Sequence, residues 1–295
     1  MVSVVVTSLN SAGTLKDCLV ALERQTAKDG VEIIVVDSSN DGSRELVHRE
    51  FPRVKLLAIP YPGSRALMRA RGVNAAKGDI VALTEDHCVP REDWLARVVE
   101  NHRSPCVAAG GAVENSAENR AAYWAIYFCE YYRFMPPVRG GPVADIPGSN
   151  ASYKREALAK TDFGGIGLWD NLINVQLGSN GGAGNVVSDP SQIVYHNKQE
   201  APLSFLVHRY HFSRCFAGFR VRRARLWKRL LYTALSPSLP VIVLWRTLGD
   251  VWRKGRNRGK LARSLPFLLP FVIGSAAGEF MGYAFGAGES WRKIN

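Results

Sequence analysis

The chain has 295 residues, 46% of them hydrophobic, which excludes general disorder and allows one large domain or one domain plus an appendage. Its five cysteines (Cys18, Cys88, Cys106, Cys129 and Cys215) are odd in number and none stand at CxxC spacing, so they read as reduced thiols and not as a disulfide frame or zinc site. The net charge of +12 is uneven: residues 1–200 hold 21 Lys+Arg against 23 Asp+Glu, and residues 201–295 hold 17 against 3. The second part therefore suits an anionic surface, either nucleic acid or lipid headgroups.

MVSVVVTSLN lacks a basic segment followed by a long apolar one, so no secretory signal is expected there. Residues 2–9 are β-branched and apolar and predict a strand. A helix follows from about Thr14, with Leu15, Leu19 and Leu22 on one face. Strands are then predicted over 31–37, 54–59, 79–85 and 106–113, and helices over 43–50, 64–76 and 92–102. Strands rich in Val and Ile without polar alternation are buried on both faces, and alternation with helices implies a mainly parallel sheet. Ligands bind beyond the carboxyl ends of such strands. Asp37 and the triplet Glu85-Asp86-His87 lie at two of those ends.

Further on, residues 121–134 read as an aromatic helix and 136–142 as a Pro/Gly-rich loop. Residues 146–158 read as loop, short strand and helix start. Residues 165–182 read as loop, helix and glycine stop, and 185–197 as two short strands around a turn at Asp189-Pro190. From residue 201 aromatic and basic residues interleave, and two long runs nearly free of charge follow, at 230–245 and 264–291, with a basic stretch without acids at 253–263 between them. The division expected is a domain over 1–200 and a basic, apolar helical region over 201–295.

The first strand is not followed by GxGxxG or GxxxxGK[ST], which disfavours a dinucleotide Rossmann site and a P-loop. Instead the chain presents TSLN, VVDSSNDGS, ARGVNAAKGD, ALTEDHCVP, PGSNASYKREAL, LWDNLINVQLGSNGG and VYHN in that order. This ordered set, over about residues 2–200, resembles a family 2 glycosyltransferase with the GT-A fold. The resemblance implies an α/β fold with a mainly parallel sheet flanked by helices. It also implies transfer of a sugar from a nucleotide diphosphate donor, a UDP-sugar being favoured, with inversion at the anomeric carbon.

By the same resemblance, Thr7, Asp37 and Arg71 would hold the nucleobase, and Ser149 and Asn150 would line the sugar pocket. Glu85 would take the first place of the metal motif, facing the ribose or the metal, with Asp86 or His87 as metal ligand. His196 would reach the metal or diphosphate, and Asp170 would be the general base. The triplet departs from the family's Asp-x-Asp or Asp-Asp-x pattern. Oxygen ligands suit Mg²⁺ or Mn²⁺, and an imidazole shifts the preference toward Mn²⁺. Trp169 stands where the family has the first of two acids, so one carboxylate remains to take the acceptor's proton. A catalytically degenerate relative acting as a membrane scaffold is the competing reading.

For residues 201–295 the apolar runs beside the charges argue for lipid and against nucleic acid. The prolines at 237, 240, 266 and 270 interrupt both runs. Two full spans would leave the basic stretch outside, against the positive-inside tendency. Elements that dip into an anionic membrane from the cytoplasmic side are therefore favoured over spanning helices, with the catalytic domain on that same side. A lipid or lipid-linked acceptor follows as an expectation.

Overall fold

VSVVVTS, buried at every position, makes the first strand, β1 (Val2–Ser8), a central one. In the computed structural model the described residues are 1–27, 29–161, 170–181, 185–222 and 224–294, with side chains between 170 and 181 described for 172–178. The chain folds as two compact units, Met1–Ser116 with Phe134–Asn197, and Ala117–Arg133 with Lys198–Asn295.

In the first unit the elements after β1 are α1 (Ala12–Glu23), β2 (Val31–Asp37), α2 (Ser43–Glu50), β3 (Lys55–Ala58), α3 (Arg65–Ala75), β4 (Ile80–Glu85), β5 (Cys88–Pro90), α4 (Trp94–Asn101) and β6 (Ala108–Asn115). The aromatic helix α5 (Ala121–Tyr131) belongs to the second unit. The first unit resumes with β7 (Gly141–Pro142), a 3₁₀ turn (Gly148–Asn150), β8 (Ala151–Lys154), α6 (Arg155–Leu158), α7 (Asp170–Gly181) and β9 (Val186–His196).

Among the described residues the sheet order is β3-β2-β1-β4-β8-β6-β9-β5, with β7 also on β9. The strands β3, β2, β1 and β4 are parallel, as the βα alternation predicts. Beyond β4 the sheet is mixed, because β8 runs against both β4 and β6, and β5 runs against β9. The core includes Val5, Ile34, Met68, Leu83, Tyr153 and Ile173.

Residues 186–196 form one strand and not two, because β6 absorbs the Asp189-Pro190 turn as a bulge. Its register passes from Gly111 opposite Asp189 to Ala112 opposite Ile193. A Cβ on Gly111 would overlap the backbone oxygens of Gln192 and Asp189, so the bulge requires glycine there.

The second unit contains α5, α8 (Pro202–Arg220), α9 (Leu226–Leu235), α10 (Leu239–Lys254) and α11 (Arg258–Phe285). A left-handed Gly255 ends α10, so the basic stretch 253–263 is the junction of two helices. Pro266 and Pro270 lie inside α11 without ending it. What holds it is close packing on α8: Gly274 meets Leu206, Gly278 meets the Tyr210 carbonyl, and Gly282 meets the Arg214 carbonyl. Partners rise in step by four residues, so the two helices run side by side in the same direction at backbone contact distance. Among the described residues α11 is the helix long and apolar enough to cross a bilayer.

Candidate active site at the carboxyl edge of the parallel strands

Strand register alone gathers the first residues of the site. Thr7 pairs with Glu85 across β1 and β4, and Ser8 pairs with Asp37 across β1 and β2. All four are buried, and the hydroxyls of Thr7 and Ser8 have no hydrogen-bond partner among the described residues.

Asp37 closes an Asx turn. Its Oδ2 accepts from the Ser39 backbone N–H at 3.0 Å and from Arg44 Nε at 2.7 Å, and its Oδ1 from the Ser39 hydroxyl at 2.7 Å. The neighbouring loop is tied in through Asn10, a residue absent from the sequence expectations. It takes a positive φ of 51°, its backbone N–H donates to Ser39, and its side-chain oxygen accepts from the Asn40 N–H.

Asp86 is fully buried and its two oxygens face different partners. Oδ2 accepts from the Leu9 N–H at 2.7 Å and the Ser11 hydroxyl at 2.5 Å, fastening the turn between β1 and α1. Oδ1 lies 2.7 Å from His87 Nδ1 and 3.5 Å from Arg65. Burial would raise its pKa, but the Arg65 charge and the hydrogen bonds from His87 and Ser11 prevail and hold it at about 2. Glu85, likewise opposed by burial, is held well below the usual carboxylate range by the His87 hydrogen bond and the charges of Arg65 and Arg69. Arg69 Nη2 lies 2.5 Å from Glu85 Oε1.

His87 joins these groups to β9. Its Nε2 lies 3.2 Å from Glu85 Oε2 and 3.1 Å from His196 Nε2, with the two rings edge-to-face. The pairing of Cys88 with His196 in β5 and β9 sets that approach. Burial would lower the His87 pKa, but the two adjoining carboxylates raise it.

Among the described residues no three acidic, histidine or cysteine side chains stand open around a common point as a ready cation cage. His87 fills the space between the others. Carboxylate oxygens and imidazole nitrogens are nevertheless ligand types that a divalent ion takes. With bonds of about 2.1 Å, adjacent ligand atoms of an octahedral ion stand about 3 Å apart, close to the two His87 contacts. Asp86 Oδ1 and His87 Nδ1 adjoin at 2.7 Å.

The other expected residues differ in exposure and partners. Arg71 is exposed on α3, and the arginines that reach the carboxylates are Arg65 and Arg69, one turn apart on the helix. Asn150 is buried and fully engaged: its Oδ1 accepts from Trp94 at 2.7 Å and Gln192 at 2.9 Å, and its amide donates to the carbonyls of Ala112 and Gln192. It thus braces β6 and β9. Ser149 beside it is buried, with its hydroxyl toward the Cys88 thiol. Asp170 opens α7, but its side chain, like Trp169, lies outside the described residues.

The parallel strands, the antiparallel insertion of β8 and the site at their carboxyl edge define the GT-A class of glycosyltransferase folds. A mannosyltransferase of Pyrobaculum calidifontis, solved with GDP-Man and Mn²⁺, superposes with a TM-score of 0.59 at 19% identity, covering 94% of this chain and 86% of that one. TarS of S. aureus, solved with UDP-GlcNAc, gives 0.54 at 15% identity, covering 98% and 90%. Residues 3–161 match the family model Glycosyl transferase family 2, and the chain belongs to that family. Glycosyltransferase AglE of Haloferax volcanii is 30% identical over 124 residues, which is 40% of this chain and 41% of that protein. The succinoglycan biosynthesis protein ExoO of Rhizobium meliloti is 35% identical over 118 residues, 39% of this chain and 32% of that one. The matched segments thus span less than half of either relative.

Proposed function

We propose that this chain is an inverting glycosyltransferase that moves a sugar from a nucleotide diphosphate sugar, a UDP-sugar being favoured, to a hydroxyl of a membrane lipid or lipid-linked glycan. The observation that carries the reading is the alignment of Thr7, Asp37, Glu85, Asp86, His87 and His196 along one sheet edge in a member of this family. The donors bound by the mannosyltransferase and by TarS support a nucleotide sugar, and the Mn²⁺ of the former supports a divalent cation.

In this reading Thr7, Asp37 and Arg71 engage the nucleobase, and Glu85, steadied by Arg69, accepts from the ribose. Ser149 and Asn150 border the sugar. Asp86, His87 and His196 would hold Mn²⁺ or Mg²⁺, which when bound offsets negative charge on the leaving diphosphate. Arg65, beside Asp86, adds a second positive charge there. Asp170 removes the acceptor hydroxyl's proton as that oxygen bonds to C1, and the bond from C1 to the diphosphate oxygen breaks on the opposite face.

Membrane association is supported by the second unit's surface. Among the described residues, exposed large apolar side chains concentrate there, including Leu226, Trp227, Trp245, Trp252, Leu269 and Ile273. The catalytic unit would then face the cytoplasm, where nucleotide sugars are available.

The test is a thermal-shift and transfer screen of purified protein against a panel of nucleotide sugars, with and without Mn²⁺. At least one donor should stabilise the protein and be hydrolysed or transferred. Absence of binding to every donor under both conditions favours the scaffold reading instead.

A further inference from the structure

The carboxylate that ends β2 does not reach the surface: the Asp37 side chain is 0% exposed. Three donors surround it, the Ser39 backbone N–H and Arg44 Nε on Oδ2 and the Ser39 hydroxyl on Oδ1. A carboxylate so enclosed does not meet the N–H of a ligand directly. What it presents is Arg44, from the first turn of α2, whose side chain is 35% exposed. Nε is held on Asp37 at 2.7 Å and Nη2 on the Ile59 carbonyl at 3.0 Å, so the planar guanidinium is fixed at two points between the ends of β2 and β3. Nη1 has no partner among the described residues and is not enclosed, so its N–H groups are open to an acceptor.

The loops around this arginine are tied to one another. Asn10, after β1, donates from its backbone to the Ser39 hydroxyl and from its side chain to the Tyr61 hydroxyl at 3.4 Å. Ser38, after β2, donates to the Pro60 carbonyl at 2.9 Å. Tyr61 itself is 46% exposed. A fixed guanidinium with free donors and an exposed aromatic side chain on one braced rim suit a flat heterocycle that carries a carbonyl.

We propose that Arg44 selects the nucleobase of the donor, donating from Nη1 to a carbonyl oxygen of uracil or guanine while the base lies against Tyr61. This rests on the nucleotide-sugar reading above and deepens it. Asp37 engages the base through Arg44, as a positioning residue. Cytosine and adenine carry an amino group where uracil and guanine carry that carbonyl, so they would set donor against donor.

The experiment is calorimetric titration of the full chain with UDP, CDP, GDP and ADP, in the parent, in Arg44→Lys and in Tyr61→Ala. Arg44→Lys keeps a positive charge beside Asp37 and removes the planar fork. In the parent, UDP should bind about tenfold more tightly than CDP, or GDP than ADP. In Arg44→Lys that ratio should fall to about one, because the carbonyl base loses affinity while its amino counterpart stays within about twofold. Tyr61→Ala should weaken every nucleotide that binds by about tenfold and keep the ratio.

An Arg44 that only steadies the loop would give equal losses for all nucleotides in Arg44→Lys with the ratio kept, and that result overturns the proposal. A parent that binds carbonyl and amino bases equally overturns it without any variant. Unchanged affinities in Tyr61→Ala overturn the placing of the base on that ring. A parent that binds none of the four, with or without Mn²⁺, sinks the nucleotide-sugar reading and this inference with it.

Discussion

Arg69 Nη2 lies 2.5 Å from Glu85 Oε1, and both side chains are almost wholly enclosed. The pair joins α3 to the end of β4, so the helix that covers the sheet and the strand that carries the acidic triplet are fixed to one another by charge. Burying two charges is favourable only while they stay paired.

Arg69→Met removes one partner and leaves a buried carboxylate. Glu85 keeps its His87 contact and the Arg65 charge, so stability should fall by about 1–3 kcal/mol, measured as the shift in urea midpoint at constant m. The double variant Arg69→Met with Glu85→Leu should recover most of that loss. A single variant as stable as the parent would mean that the pair contributes nothing.

Asp170→Asn tests the proposed chemistry. Transfer should fall by at least about 100-fold, since loss of a general base commonly has that effect, while donor binding by calorimetry stays within about twofold. Unchanged turnover removes Asp170 from the mechanism.

His102 predicts a pH dependence of folding away from the site. Its Nε2 lies 2.9 Å from the Ser152 hydroxyl, whose own proton goes to the Ala109 carbonyl, so the imidazole donates there. Burial, and secondarily the Lys154 charge, lowers its pKa from 6.5 to about 4. Below pH 6.5 the unfolded chain takes up a proton that the folded chain refuses. Stability from this group is thus complete above about 6.5 and is lost as the pH falls toward 4, by about 3 kcal/mol in all. Denaturant titrations at pH 7.5 and 4.5 should show a steep loss in the parent and a shallower one in His102→Gln. Identical slopes would sink the assignment.

Gly278→Leu tests the packing of α11 on α8. Even a Cβ at Gly278 would overlap the Tyr210 carbonyl, and backbone cannot move aside as a side chain can. The substitution should cost about 3 kcal/mol or more, as overpacking does at its upper range, read as a fall in Tm. Gly249→Leu, where nothing stands within 4 Å, should change Tm little.

The parallel half of the sheet was legible because VSVVVTS, VEIIVVD and IVALTE are long enough for composition to identify them. The strand β5, with three residues, exists only through its pairing with β9, which no local pattern announces. Helical phase also singles out Arg65 and Arg69, which reach the carboxylates. They share a stripe with Met68, Gly72 and Val73, while Arg71 turns outward. By sequence alone Pro266 and Pro270 interrupt the apolar run. The glycines four residues apart that follow them secure it against α8, and a spacing of that kind has meaning only once the partner helix is known.

The divided grip of Asp86 has a consequence for how occupancy is sensed. One oxygen fastens Leu9 and Ser11, while the other faces His87 and Arg65. Whatever draws electron density from that carboxylate on the site side weakens its hold on the first turn, and whatever strengthens it tightens that turn. The Leu9 amide proton, held by Asp86, is therefore a built-in gauge, whose exchange with solvent follows the charge state of the centre.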